Sequence, residues 1–130
     1  MRQIRGLLFY WLPPIVLMIF IFSLSSRQRI GISEEFIINF IIFKTLHVME
    51  YGVLYFFFFR AFNAYSTEKT SRAFIYAGIA TLLFAISDET HQTFVPTREG
   101  SSRDIFIDTI GIGLCFMYTK TNFKKLRIFL

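Results

Sequence analysis

The sequence is poor in features that mark several common classes of protein. It has a single cysteine, Cys115, so no disulfide bond can form within the chain. It has no internal repeat and no low-complexity segment. Phosphate-binding, dinucleotide-binding, nucleophile-elbow and H-E-x-x-H motifs are all missing. These absences exclude a disulfide-stapled fold and give no support to the commonest nucleotide-binding, hydrolytic or zinc-dependent enzymes.

Long apolar runs are what the sequence has in abundance. Of its 130 residues 54% are hydrophobic and 18 are Phe, and the mean hydropathy is +0.50. A water-soluble domain of this size would bury only part of that apolar surface, and the rest would promote aggregation. The composition therefore predicts a membrane protein, and the length predicts one domain over residues 1–130.

Four segments are predicted to be transmembrane helices, at about residues 7–24, 45–64, 73–94 and 104–119. No small-residue cleavage motif follows the first, so we expect a retained helix and not a signal peptide. The run FIINFIIF at residues 36–43 is too short to span, and is either an interfacial helix or an outer extension of the second helix. We therefore expect an all-α polytopic membrane protein, a four-transmembrane-helix bundle.

We interpret the net charge of +5 as a signal for membrane orientation. Basic residues lie between apolar runs and not along one face with interleaved aromatics, so we expect no nucleic-acid partner. Four spans place both termini on one side. That side would carry nine Lys and Arg residues against five, namely Arg2, Arg5, Arg60, Lys69, Arg72, Lys120, Lys124, Lys125 and Arg127 against Arg27, Arg29, Lys44, Arg98 and Arg103. The positive-inside rule then predicts a plasma-membrane protein with both termini in the cytoplasm.

Polar residues at helical spacing occur on three of the predicted helices, near their outer ends. The sets are Lys44, His47 and Tyr51 with the adjacent Glu50 on the second helix, Asp88 with His91 or Gln92 on the third, and Asp104, Asp108 and Gly111 on the fourth. An ionisable side chain facing lipid costs about 2.5–3.5 kcal/mol at mid-membrane on the insertion scale. We therefore expect these faces to turn inward and meet, with Gly111 and Gly113 permitting close helix approach.

These residues carry a resemblance to a known family. Its marks are Trp11 with Pro13 and Pro14, the pattern Lys44-x-x-His47-x-x-Glu50-Tyr51, and the run Ser87-Asp88-Glu89-x-His91-Gln92-x-Phe94-Val95-Pro96-x-Arg98, continued by Arg103-Asp104, Asp108 and Gly111. From Trp11 to Gly113 the chain resembles the VanZ-like family of small membrane proteins. The family takes its name from an accessory protein associated with low-level resistance to the glycopeptide teicoplanin. The resemblance implies this architecture and a cell-envelope role, and it implies no particular reaction.

Several interpretations of the polar set stay open. A pocket for an anionic envelope or lipid-linked molecule would use Lys44, Tyr51, Gln92, Arg98 and Arg103. An enzyme acting on a lipid-linked substrate would draw its acid or base from His47, Glu50, Asp88, Glu89, His91, Asp104 and Asp108. A small proton-coupled carrier would use similar residues as a relay. A salt-bridge network that only fixes helix register is the structural alternative.

A divalent metal ion is a further interpretation. His47 with Glu50 and Asp88 with His91 each place an imidazole and a carboxylate one helical turn apart, with Asp104 and Asp108 opposite. Two histidines with carboxylates suit zinc, manganese or iron. Lys44 and Arg98 would oppose a nearby cation. The sequence therefore defines no cofactor, and it defines no partner beyond the lipid bilayer and the envelope molecule.

Overall fold

The structure is a computed structural model, and it describes residues 2–27, 35–65, 70–96, 98 and 100–126. Within these ranges every regular element is a helix. The helices are α1 (Arg2–Ser25), α2 (Phe36–Tyr65), α3 (Thr70–Gln92), α4 (Ser102–Thr121) and the short α5 (Phe123–Leu126). The predicted all-α class is therefore confirmed.

Helix α2 begins at Phe36 and not near residue 45. The apolar run at residues 36–43 is therefore continuous with the second helix, which favours the extension over a separate interfacial helix. At about 1.5 Å per residue, the 30 residues of α2 span roughly 45 Å, more than the ~30 Å hydrocarbon core of a bilayer. One part of α2 must therefore tilt strongly or extend past that core.

Three helical segments are long and apolar enough to cross a membrane, namely Leu8–Ser25, Phe36–Tyr65 and Thr70–Gln92. Helix α4 is not among them. It has 20 residues, and the charged Asp104, Asp108 and Lys120 interrupt its apolar sequence. The structure therefore supports a multi-pass membrane protein and identifies three of the four predicted spans.

Helix α2 is the central element. Its Tyr51, Leu54, Tyr55 and Phe59 side chains are at most 1% exposed. Helices α1, α3 and α4 all pack against it, whereas α1 and α4 do not pack on each other within the described part of the chain. Consecutive helices run antiparallel, so α4 runs parallel to α2.

Helix α3 packs through a face of small residues. The buried members recur every four positions and are Ala73, Ala77, Thr81 and Ala85. Side chains at this spacing lie on one face, and small ones let neighbouring helices approach closely. The next turn continues with the buried Asp88, Glu89 and Gln92. Close packing of the small residues thus carries three polar side chains into the interior.

The outward surface of the helices is apolar. Phe9, Ile19, Leu83, Leu114 and Met117 are each more than half exposed. In water such a surface would be an aggregation hazard, whereas acyl chains cover it without cost. Leu114 and Met117 of α4 belong to this apolar surface, although α4 is not recognised as a membrane span by its composition.

Candidate functional site

The polar side chains of the bundle lie at one end, which we call the polar end. It consists of the last turn of α1, residues 44–51 of α2, the last turns of α3 and the first turns of α4. At the opposite, aromatic end, Trp11 packs on Phe62, and Phe74 packs on Phe59. The three helix segments that carry the polar sets in the sequence therefore lie at one end of the molecule, together with the end of α1.

Two polar contacts join α2 to α4. Lys44 Nζ lies 2.5 Å from Asp104 Oδ1, and His47 Nδ1 lies 2.9 Å from Asp108 Oδ1. The i, i+3 spacing on α2 and the i, i+4 spacing on α4 keep the two contacts in register because the helices are parallel. One turn further, a Cβ at Gly111 would overlap the α2 backbone. The predicted polar face of α4 therefore faces α2.

Asp88 is surrounded by neutral hydrogen-bond donors. Ser25 Oγ donates to Asp88 Oδ1 at 2.6 Å, while Gln92 Nε2 and Tyr51 Oη donate to Oδ2 at 3.0 and 3.3 Å. The residue is only 1% exposed. Hydrogen bonds from uncharged donors satisfy a buried carboxylate without an ion pair. Asp88 thus ties the end of α1 and the middle of α2 to α3.

Glu89, the next residue, is directed to α4. The backbone N–H of Ser101 donates to Glu89 Oε2 at 3.0 Å, and Gln92 Nε2 donates to Oε1 at 3.2 Å. Ser101 is the N-cap of α4, because its Oγ accepts a bond from the backbone N–H of Arg103 at 3.2 Å. Glu89 therefore fixes the first turn of α4 against the last turn of α3.

Arg98 connects the α3–α4 segment to the end of α1. Its Nε donates to the carbonyl of Arg27 at 2.8 Å, its Nη2 to the carbonyl of Leu24 at 2.9 Å, and its Nη1 to Gln92 Oε1 at 3.3 Å. The last carbonyls of a helix lack helical partners and lie at the negative end of its dipole. The guanidinium of Arg98 therefore caps α1 while lining the site.

A cavity of about 280 Å³ opens between α1, α2 and α3 at the polar end. We call its apolar lining residues the apolar wall, namely Ile21, Leu24, Phe43 and Leu46, and its polar lining residues the polar wall, namely Ser25, Arg27, His47, Glu50, Asp88, Gln92 and Arg98. Ligand pockets in proteins begin at roughly this volume and combine apolar walls with a few polar groups. The cavity is therefore suited to the polar part of an amphiphilic molecule.

A second group of side chains lies between α2, α3 and α4. A ring nitrogen of His47 and one carboxylate oxygen each from Glu89 and Asp104 lie within 4.8 Å of one another. His47 thus borders both the cavity and this group. Of the residues that the sequence offers around a metal ion, His47 and Asp104 belong to it, whereas Glu50 and Asp88 line the cavity.

Two of the predicted site residues point elsewhere. The His91 ring packs on Phe22 of α1 with 4.3 Å between ring centroids. The sequence leaves His91 and Gln92 as alternatives beside Asp88, and it is Gln92 that shares the face of Asp88. Arg103 is at the surface, with 66% of its side chain exposed.

Some members of the site have little signal in the sequence. Arg27 stands out there only as a charge after the first apolar run. Leu24 and Leu46 look like any other residue of their apolar segments. Which of these residues line a cavity depends on how α1 is rotated against α2, and one-dimensional spacing does not define that rotation.

Together the fold and the site define a multi-pass membrane protein with a buried polar network at one end of its helices. The sequence profile of the VanZ/LLP1 family matches residues 7–123. The chain therefore belongs to the VanZ/LLP1 family, and the resemblance seen in the sequence is confirmed. No curated protein and no solved structure gives a significant match.

Proposed function

We propose that this protein is a four-span membrane protein of the cell envelope. Its polar end would bind the anionic head group of a lipid or lipid-linked molecule. The observation that carries the proposal is the cavity between α1, α2 and α3, whose lining combines apolar with polar and charged residues.

The apolar wall of the cavity continues onto the outer surface of the helices. Leu24 and Leu46 line the cavity, yet they are 38% and 43% exposed. A membrane that surrounds the helices would therefore bring acyl chains to the cavity mouth. An amphiphile could enter sideways from the bilayer, with its chain along these residues and its head group inside.

Arg27 and Arg98 provide the positive charge of the polar wall. A guanidinium binds phosphate or carboxylate through two parallel hydrogen bonds. The bonds of Arg98 to α1 and to Gln92 hold it in place before a ligand arrives, which reduces the entropy lost on binding. Glu50 and Asp88 lie in the same wall, which favours a head group that also carries hydroxyl or amino donors.

Lys44 and Arg103, which the sequence suggests as further anion ligands, do not line this cavity. Lys44 is paired with Asp104, and Arg103 is largely exposed. The anion-binding role therefore falls on Arg27 and Arg98 in this proposal.

The four-span topology is supported by how α4 presents its charges. Asp104 and Asp108 contact α2, while the exposed Leu114 and Met117 face outward. A helix that hides its acidic residues in this way can cross a bilayer despite a modest overall hydropathy. The aromatic end would then lie on the cytoplasmic side and the polar end on the outer side.

Membership of the VanZ/LLP1 family extends the proposal to glycopeptides. We expect that binding of an envelope lipid intermediate alters sensitivity to antibiotics such as teicoplanin. Expression of the chain in a sensitive Gram-positive host should raise the inhibitory concentration of teicoplanin severalfold. An unchanged inhibitory concentration would contradict the role in teicoplanin sensitivity. It would not bear on lipid binding, which has its own test.

Native mass spectrometry of the detergent-solubilised protein tests lipid binding directly. The probes are a polyprenyl phosphate and phosphatidylglycerol as anionic lipids, and phosphatidylcholine as a zwitterionic one. Leu46→Trp fills the cavity mouth and should weaken retention of the anionic lipids at least tenfold. Leu83→Trp, on the exposed surface of α3, is the matched control and should change nothing.

Equal retention of phosphatidylcholine, or equal effects of the two Trp variants, would contradict a specific anionic site. Hydrolysis of the polyprenyl phosphate during the assay would instead identify an enzyme at the same cavity.

A further inference from the structure

The group formed by His47, Glu89 and Asp104 has the dimensions of a metal site. One potential ligand atom of each residue lies within 4.8 Å of the other two. Zinc binds nitrogen and oxygen ligands at about 2.0–2.2 Å in tetrahedral geometry, so the ligand atoms of one ion are roughly 3.3–3.6 Å apart. Side-chain adjustments of up to about 1 Å would therefore bring all three to one ion.

His47 is oriented as metal-bound histidines usually are. Its Nδ1 contacts Asp108 Oδ1 at 2.9 Å, which leaves Nε2 as the nitrogen available to a ligand. Histidines that bind metals commonly hold their second ring nitrogen against a carboxylate, which fixes the ring and raises its basicity. The Asp108 side chain is 0% exposed, and its Oδ2 has no hydrogen-bond partner among the described residues.

The balance of charge around the group also indicates a cation. Three carboxylates, those of Glu89, Asp104 and Asp108, are buried on residues at most 9% exposed. Lys44 pairs with Asp104, and His47 contacts Asp108 and would pair with it when protonated. By contrast, Gln92 and the Ser101 backbone, which donate to Glu89, are neutral. A buried carboxylate without balancing charge is strongly unfavourable. A divalent ion would balance Glu89 and leave His47 neutral as a ligand.

We propose that the protein binds a divalent transition-metal ion, Zn²⁺ or Mn²⁺, through His47, Glu89 and Asp104, with Asp108 positioning the imidazole. One imidazole and two carboxylates suit either ion and leave coordination positions open. Lys44 competes with the ion for Asp104. His47 also lines the cavity, whereas Glu89 and Asp104 do not, so metal binding can be tested separately from the lipid proposed for the cavity.

The direct test is Mn²⁺ binding to the full-length protein, purified in detergent and stripped with a chelator. Electron paramagnetic resonance should show one saturable Mn²⁺ per chain, and Zn²⁺ should displace it. Pulsed measurements should show the nitrogen coupling of a coordinated imidazole. That coupling should vanish in His47→Gln and persist in His91→Ala, because His91 packs against α1 and lies outside the group.

Two further variants separate a ligand from a merely structural residue. Glu89→Gln keeps an oxygen that can accept the bond from Ser101, yet it should weaken Mn²⁺ binding at least tenfold. Lys44→Met removes the competing ammonium and should strengthen binding severalfold. A purely structural polar network predicts no gain of affinity in any of these variants.

Three results would overturn the proposal. They are the absence of saturable Mn²⁺ binding by the wild-type protein, the absence of nitrogen coupling, and an equal loss in His47→Gln and His91→Ala. Size-exclusion profiles identify variants that fail to fold. If His47→Gln fails to fold, the proposal is tested by the nitrogen coupling in the wild-type protein and by the Mn²⁺ affinity of Glu89→Gln. Leu24→Trp, which fills the cavity from α1, should weaken lipid retention and leave Mn²⁺ binding unchanged, which separates this site from lipid binding.

Discussion

Adjacent residues at the polar end serve different interfaces. Asp88 accepts hydrogen bonds from Ser25 of α1 and Tyr51 of α2, whereas Glu89 accepts one from the first turn of α4. Successive positions on an α-helix are rotated by about 100°. The Asp-Glu pair of α3 therefore divides its two charges between the cavity on one side and the proposed metal group on the other.

Replacement of Asp88 by Ala should destabilise the protein. Its two carboxylate oxygens accept three bonds from Ser25, Tyr51 and Gln92, and Ala offers no side-chain acceptor. The buried Tyr51 hydroxyl then loses its acceptor, at a cost of about 1–3 kcal/mol. Thermal unfolding in detergent should show a lower midpoint for Asp88→Ala. Thr90→Val, at an exposed position of the same helix, is the control, and equal midpoints would contradict the role of Asp88.

The sequence predicted the faces of these helices better than their partners. The i, i+4 spacing of Asp104 and Asp108 indicated a common direction, and both contact α2. It did not indicate whether Asp88 or Glu89 would face α4. A helix that is apolar on nearly all sides gives little signal for its rotation about its own axis. Packing decides that rotation, here through the small-residue face of α3.

Among the helices, α2 and α4 approach each other most closely. A Cβ on Gly52 would lie 3.3 Å from the carbonyl oxygen of Gly111, and one on Gly111 would overlap the backbone of Val48. The two glycines therefore allow the backbones to meet just below the contacts of Lys44 and His47. This close crossing keeps the α2 and α4 side chains within reach of one another.

Gly111→Ala should therefore separate α2 from α4. The added methyl group has no space, and overpacking of this kind costs about 1–3 kcal/mol. Gly113→Ala is the matched control, because a Cβ there would meet nothing within 4 Å. Thermal unfolding should show a lower midpoint for Gly111→Ala alone. A similar midpoint for both variants would mean that the crossing tolerates a side chain.

The sequence predicts close helix approach at both Gly111 and Gly113. The structure shows it at Gly111, whereas a Cβ on Gly113 would meet nothing within 4 Å.

The composition of the chain alone does not define where α2 begins. Residues 36–43 are too few to span a membrane, and an interfacial helix would have the same apolar character. No Gly or Pro occurs between Phe36 and Tyr51, so nothing in the chain interrupts the helix there. The continuous helix carries the exposed Phe36, Ile37 and Ile41 past the polar residues. These exposed apolar side chains support the proposal that lipid surrounds the polar end of the protein.

At the scale of the whole molecule, the two ends differ in chemistry. The polar end holds the buried carboxylates, the cavity and the α3–α4 connection. The aromatic end holds Arg60, stacked on the rings of Phe9 and Tyr10, and the exposed Lys124 and Lys125 of α5. Basic residues concentrate on the cytoplasmic side of membrane proteins. In the proposed orientation, with the aromatic end on the cytoplasmic side, the cavity would face the outer leaflet.

Cysteine labelling in intact cells tests this orientation and the number of spans together. In a Cys115→Ser background, Ser102→Cys marks the polar end and Lys124→Cys the aromatic end, and both positions are exposed. With four spans, a membrane-impermeant maleimide should label Ser102→Cys in intact cells and Lys124→Cys only after permeabilisation. Labelling of only Lys124→Cys in intact cells would reverse the orientation. Labelling of both would mean that α4 does not cross the bilayer, because its two ends would then share the outer side.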